Sequence, residues 1–232
     1  MLTNKLPPLD VTRLQQIIAT LTSHRLGKYL RTTHNDQRQA LRLYAINAKI
    51  SAAFLVDLHY LEIALRNKFD VELTAGFNSP QWYLDARFIS FLDQRGQDIL
   101  RKAQRDAAKG QSRGQPVPAG KVIAELMFGF WLNLTDPSLE HSLWVPYLHK
   151  AFLPRTPPRR SALNNSLEKL RQLRNRVAHH EPIFHMDLLG THKILQDALS
   201  LLCPATARVM SETSLVKQEV IAMSRFRNRR KF

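Results

Sequence analysis

Near its end the chain reads Arg174-Asn175-Arg176-Val177-Ala178-His179, which sets a guanidinium, a carboxamide and an imidazole on the last turns of a helix, because Pro182 disfavours continuation. These are the groups that cleavage of a phosphodiester in RNA requires: one cation to hold the phosphate and one side chain that titrates near neutrality to move a proton. On a wheel at about 100° per residue, Leu163, Leu167, Leu170 and Val177 form one apolar stripe, and Arg174 falls in its middle. An unpaired charge in a core is costly, so a burial-only position would carry an apolar side chain, and Arg174 needs a carboxylate, a phosphate or a water-filled cleft. Asn175 and His179 are four apart on a neighbouring face, where the amide can orient the imidazole. Carbonyls at a helix C-terminus favour the imidazolium, which fits His179 to donate a proton as well as accept one. His180 points elsewhere on the wheel, as a second functional group or as a surface histidine, and Glu181 reads as a surface acid. The plainer reading of an Arg and a His on one helix is a solvated face or a capping pair.

The rest of the chain must position these groups. At 232 residues with 44% hydrophobic content it can fill a sizeable core, and a net charge of +15 points to a polyanionic partner, nucleic acid before a membrane surface. Only 8 glycines and few β-branched alternations predict an all-α protein. A first helix is expected from an Asp10 N-cap to a stop before Gly27, then a long amphipathic helix, or two nearly continuous ones, from about Asn35 or Asp36 to Leu73, closed by Gly76 and Pro80. An irregular aromatic connection follows to Phe91, then a solvated polar helix over Asp93 to Lys109, a loop over residues 110–120, and a central apolar helix over Lys121 to Leu134. The signature helix should start at Ser161, a further helix should cover Met186 to Leu202, and one last helix should run from about Ala205 into a basic tail, within a single domain over residues 1–232. The apolar run Ala124 to Leu134 is too short to span a bilayer, the N-terminus lacks the run of a signal peptide, and the one cysteine, Cys203, reads as a buried packing residue. A reducing cytoplasm is the expected location. Neither zinc-type Cys/His spacing, H-E-x-x-H, a P-loop nor G-x-G-x-x-G occurs, so no metal or cofactor is expected.

With those residues in view, LRNRVAHHEPIF (Leu173 to Phe184) resembles the signature of the Abi-like proteins, an abortive-infection family within the HEPN superfamily, in which an Arg and a polar residue precede a His by four to six positions. Arg174, Asn175 and His179 match it. Support comes from LHYLEIALRNKFD (Leu58 to Asp70), similar to the family's LE-x-x-LRN pattern, and from FGFW before a Leu-Trp-x-Pro element (Phe128 to Trp131, Leu143 to Pro146), so that the likeness spans about Leu41 to Phe184. The resemblance implies a HEPN-like helical bundle and a metal-independent endoribonuclease that leaves 2',3'-cyclic phosphate and 5'-OH ends, in phage defence or as a toxin. It further implies His179 as general acid or base, Arg174 stabilising the phosphorane, Asn175 orienting the pair, and two motifs facing each other across a homodimer. Arg174 and His179 lie about 140° apart on one ideal helix, which makes a partner copy's contribution sensible. An antitoxin or a phage-derived trigger are the further partners it raises.

Supporting candidates lie upstream. Glu62 and Arg66 are spaced to pair on the helix surface, or else Glu62 reaches across the bundle to hold Arg174, and Asn67 would line the same cleft. Arg155, Arg159, Arg160, Arg225, Arg227, Arg229 and Arg230 are expected to track RNA phosphates without reading sequence. Trp82, Tyr83, Trp131 and Trp144 read as packing elements rather than base-stacking platforms. The competing functions are a non-catalytic HEPN-type RNA-binding or adaptor module, and a regulatory partner of another protein.

Overall fold

The computed structural model describes residues 10–111, 115–152 and 157–228, and every regular element among them is helical. The all-α expectation holds. Helix α1 (Val11–Leu21) starts where the Asp10 carboxylate accepts the Arg13 N–H at 2.8 Å. It does not run on to Gly27. The break comes at Thr22, with φ of +66°, whose hydroxyl accepts the Arg25 N–H and so caps α2 (Ser23–Thr32), and Gly27 lies inside this second helix. Asp36 caps α3 through the Gln39 N–H, and α3 is a single helix over Gln37–Phe77. Its apolar residues at steps of three and four, Phe54, Leu58, Leu61, Leu65, Phe69 and Leu73, are all buried.

Between Trp82 and Phe91 the expected irregular connection is a 3-10 turn followed by α4 (Ala86–Phe91), capped by Asp85. Asp93 caps α5 (Gln94–Ala108), whose Leu100, Ala103 and Ala107 are buried, so it has more of an apolar face than its polar sequence suggested. The single helix expected over Lys121 to Leu134 is two, α6 (Ala119–Glu125) and α7 (Phe128–Asn133). At the break the Trp131 indole donates to the Leu126 carbonyl at 2.9 Å and satisfies an acceptor that a continuous helix would have paired internally. A 3-10 turn, one π turn over Glu140–Trp144 and a second 3-10 turn lead toward α8 (Arg160–Ala178). Then come α9 (Leu188–Leu202), α10 (Pro204–Thr213) and α11 (Val216–Asn228); the last two replace the one C-terminal helix expected, with the chain broken at Ser214 and Leu215. Cys203 is half-buried at the α9–α10 junction rather than packed in the core, and hydrogen bonds to Thr206 hold its thiol below its ordinary value.

The chain forms two compact units, with α3, α8, α9 and α10 contributing residues to both. One takes residues 58–171 and 194–212. Its core holds Trp82 against Trp131, Phe88 and Tyr83, and the Trp82 indole donates to Asp70 at 2.7 Å. Trp144 is buried as well, so these aromatic side chains pack rather than face solvent. Gly76 packs directly under the Tyr147 ring, so a side chain there would force the ring to move.

The other unit takes residues 1–57, 172–193 and 213–232. Tyr29 is fully buried, 5.3 Å from the rings of both Tyr44 and Phe184, and burial pushes its hydroxyl pKa up to about 12. Two polar ties cross this core. Asn47 Oδ1 accepts the N–H groups of Ile183 (2.8 Å) and Phe184 (3.1 Å). Asp57 Oδ2 accepts from His192 Nε2 (3.0 Å) and from the Ser214 hydroxyl (2.6 Å), with Asp57 and His192 buried. Three segments far apart in sequence thus meet on one carboxylate oxygen. Truncation to Asp57→Ala takes the carboxylate acceptor from buried His192 and half-buried Ser214, and urea unfolding should show a loss on the order of 1–3 kcal/mol; Asp57→Asn should cost less, because its amide oxygen still accepts.

Candidate functional site

The signature occupies the end of α8. Leu163, Leu167, Leu170 and Val177 are buried as the wheel requires, and Leu173 joins them. Arg174 is half-buried on the edge of that stripe, Asn175 and Arg176 are half-buried, and His179 and His180 are exposed. Termination is specific. The His180 N–H donates to the Val177 carbonyl at 3.0 Å and the Glu181 N–H to the Arg176 carbonyl at 2.7 Å, the two bonds of a Schellman ending, with His180 in the left-handed position at φ +56°. His179 is therefore the C-cap residue, and Pro182 stands just past the turn.

Cations from α2 gather around this end. Arg25 Nη2 donates to the His179 carbonyl at 3.3 Å, which engages one of the acceptors that the last turn leaves free. Lys28 Nζ lies 3.0 Å from His185 Nε2, and Arg176 Nη1 lies 3.3 Å from Glu181 Oε2. Burial, with Arg176 and Arg31 nearby, holds the Lys28 ammonium below its ordinary value. Burial, with the Lys28 and Arg176 charges, likewise holds His185 below 6.5, so its imidazole is neutral at pH 7 and accepts from Lys28. Sequence reasoning missed Arg25, Lys28 and His185. The signal was there in the three-residue steps Arg25, Lys28, Arg31, hidden by reading Gly27 as a stop.

Arg174, Asn175, His179 and His180 belong to one unit, and Glu62, Arg66 and Asn67 to the other. Within the latter, Glu62 and Arg66 are half-buried and Arg66 Nε donates to Asn67 Oδ1 at 3.2 Å. Among the arginines expected to track phosphates, Arg159, Arg225 and Arg227 are exposed, and Arg155, Arg229 and Arg230 lie outside the described residues. Arg160 does not fit that role. It is buried, with Nε donating to Glu140 at 2.9 Å and Nη1 to the Thr135 carbonyl at 2.8 Å, while Asn164 donates to the Thr135 hydroxyl at 2.9 Å. Its guanidinium ties α8 to the turn after α7. No three of His, Cys, Asp and Glu among the described residues form a group that could hold a metal ion, and no described helix is long and apolar enough to cross a membrane.

The chain belongs to the Abi-like protein family, whose pattern it matches over residues 10–185, and that membership points to abortive-infection defence. No match was found among curated proteins or among solved structures.

Two outcomes test this local geometry. Glycine removes the Cβ strain of the left-handed position, so His180→Gly should stabilise the protein by about 1 kcal/mol in thermal melts. Because the folded His185 pKa is depressed, the unfolded chain takes up that proton first as pH falls, and this group's contribution to folding weakens in acid. An NMR titration should place the His185 midpoint below 6.5 and show it rising in Lys28→Gln.

Proposed function

We propose that the protein is a metal-independent endoribonuclease of abortive-infection defence, acting as a toxin on RNA. The observation that carries this reading is the end of α8, where an exposed His179 and a half-buried Arg174 stand on the final turns of a helix whose surroundings are cationic. In the reaction the ribose 2'-OH loses its proton and its oxygen bonds to the adjacent phosphorus. The bond from phosphorus to the 5'-oxygen breaks, and that oxygen takes up a proton, leaving a 2',3'-cyclic phosphate and a 5'-OH end. His179 acts as general acid or base, Arg174 offsets the charge that grows on the phosphorane, and Asn175 orients the imidazole.

Both proton transfers need a group, and one His179 faces one side of the reacting phosphate. A second copy of the chain across a homodimer supplies the complementary group. Exposed Arg159, Arg225 and Arg227 are suited to follow the RNA backbone, with Arg155, Arg229 and Arg230 beside them in sequence.

Incubation of wild type, Arg174→Ala and His179→Ala with total RNA in EDTA, followed by end mapping, tests the reading. Wild type should cut and leave cyclic phosphate, and each variant should be slower by about a thousandfold. Cleavage that survives in His179→Ala overturns the assignment. RNA binding by all three without cleavage, also in phage-infected lysate, replaces it with the binding-module function.

A further inference from the structure

Four cationic or imidazole side chains crowd the end of α8 on the unit that carries the signature, with one carboxylate between them. Lys28 and Arg25 are half-buried on α2, Arg176 is half-buried on α8, and His185 is exposed on the segment that follows. Glu181, the carboxylate, already accepts from Arg176. His185 Nε2 accepts from Lys28, so the imidazole carries its proton on Nδ1 as a further donor. Lys28 keeps two N–H groups beyond that bond, and Arg176 keeps N–H groups beyond its bond to Glu181. What the cluster offers a ligand is donors and positive charge. It is also placed for the reaction, since Arg25 on the same helix as Lys28 bonds the carbonyl of His179 itself.

We propose that Lys28, Arg176 and His185 form a phosphate-binding subsite that holds an RNA phosphodiester flanking the one that is cut. The assignment rests on the endoribonuclease reading and deepens it, because it places the substrate's backbone along α2 as well as at the signature. Burial first, and the neighbouring Arg176 guanidinium second, disfavour the charged form of Lys28, and the one carboxylate present, Glu181, is already engaged by Arg176, so the cluster stays net positive. A phosphodiester brings further negative charge and acceptors for the N–H groups that Lys28, Arg176 and His185 keep. Lysine contributes a point charge and Arg176 a planar fork, which suits one phosphate approached from two sides.

The test uses the full chain carrying His179→Ala, so that RNA survives the measurement, and a short single-stranded RNA of mixed sequence as probe. Lys28→Gln and Arg176→Gln should each weaken binding roughly tenfold and flatten the slope of log affinity against log salt by about 0.7, while Lys28→Arg keeps most of the affinity. Melting temperatures of the variants are compared alongside, and the Lys28→Arg result separates loss of charge from loss of structure. Affinity and salt slope unchanged in both glutamine variants overturn the subsite. In the otherwise native chain, Lys28→Gln should raise KM and leave kcat near its starting value. A protein that binds RNA in a Lys28-dependent way but never cuts it retains the subsite and loses the cleavage reading. Cleavage at unchanged KM in Lys28→Gln does the reverse.

Discussion

The carboxamide of Asn47 sets the geometry on which the signature depends. Its oxygen is buried and accepts two consecutive backbone N–H groups, those of Ile183 and Phe184, where the chain leaves α8. Unpaired N–H groups at that depth would each cost on the order of 1–3 kcal/mol. With them satisfied, Ile183 and Phe184 can bury their side chains, and Phe184 packs against Tyr29. The chain between Ala178 and Ile183 then has only a few residues in which to leave the helix and reach the core. A non-glycine residue in the left-handed position is one outcome of that short span, and His180 tolerates it better than a β-branched residue would. The exposed His179 is thus held between a helix on one side and an anchored segment on the other.

Electrostatics at this end run against the usual habit of protein surfaces. A helix C-terminus attracts cations, and α8 has Arg176 in its last turn as the dipole prefers. More positive charge arrives from α2 than one helix end needs. Burial first, and that excess second, disfavour the charged forms of Lys28 and His185, a cost that the buried apolar face of α2, through Leu26 and Tyr29, helps to offset. Such local cost offset by packing elsewhere is common at sites built to meet a ligand.

Much of this was legible in the residues. Asp10, Asp36 and Asp93 mark helix starts because a short acidic side chain reaches the exposed N–H groups, and the three-and-four spacing of α3 is long enough to be unambiguous. The apolar stripe of α8 was readable for the same reason, although Arg174, read into its middle, is half-buried while Leu173 beside it is buried. Local signals misled where tertiary contacts decide. Gly27 costs a helix little when packing favours continuation, and Thr22 interrupts it through backbone geometry that composition does not announce. The split between α6 and α7 depends on an indole N–H five residues away, and the buried Arg160 on a carboxylate twenty residues earlier. Asn47 was missed because a polar residue on a long helix gives no sign of partners 136 residues on.

The meeting of Asp57, His192 and Ser214 also bears on how a cell makes this protein. Ser214 and α11 are synthesised after α8, yet they belong to the same unit as α1, α2 and the end of α8. A nascent chain that has exposed the signature but still holds residues 213–228 inside the ribosome lacks part of that unit's core, including Val216 and Val220. Assembly of the signature-bearing unit thus has to wait until residues 213–228 have emerged, a form of timing written into chain order.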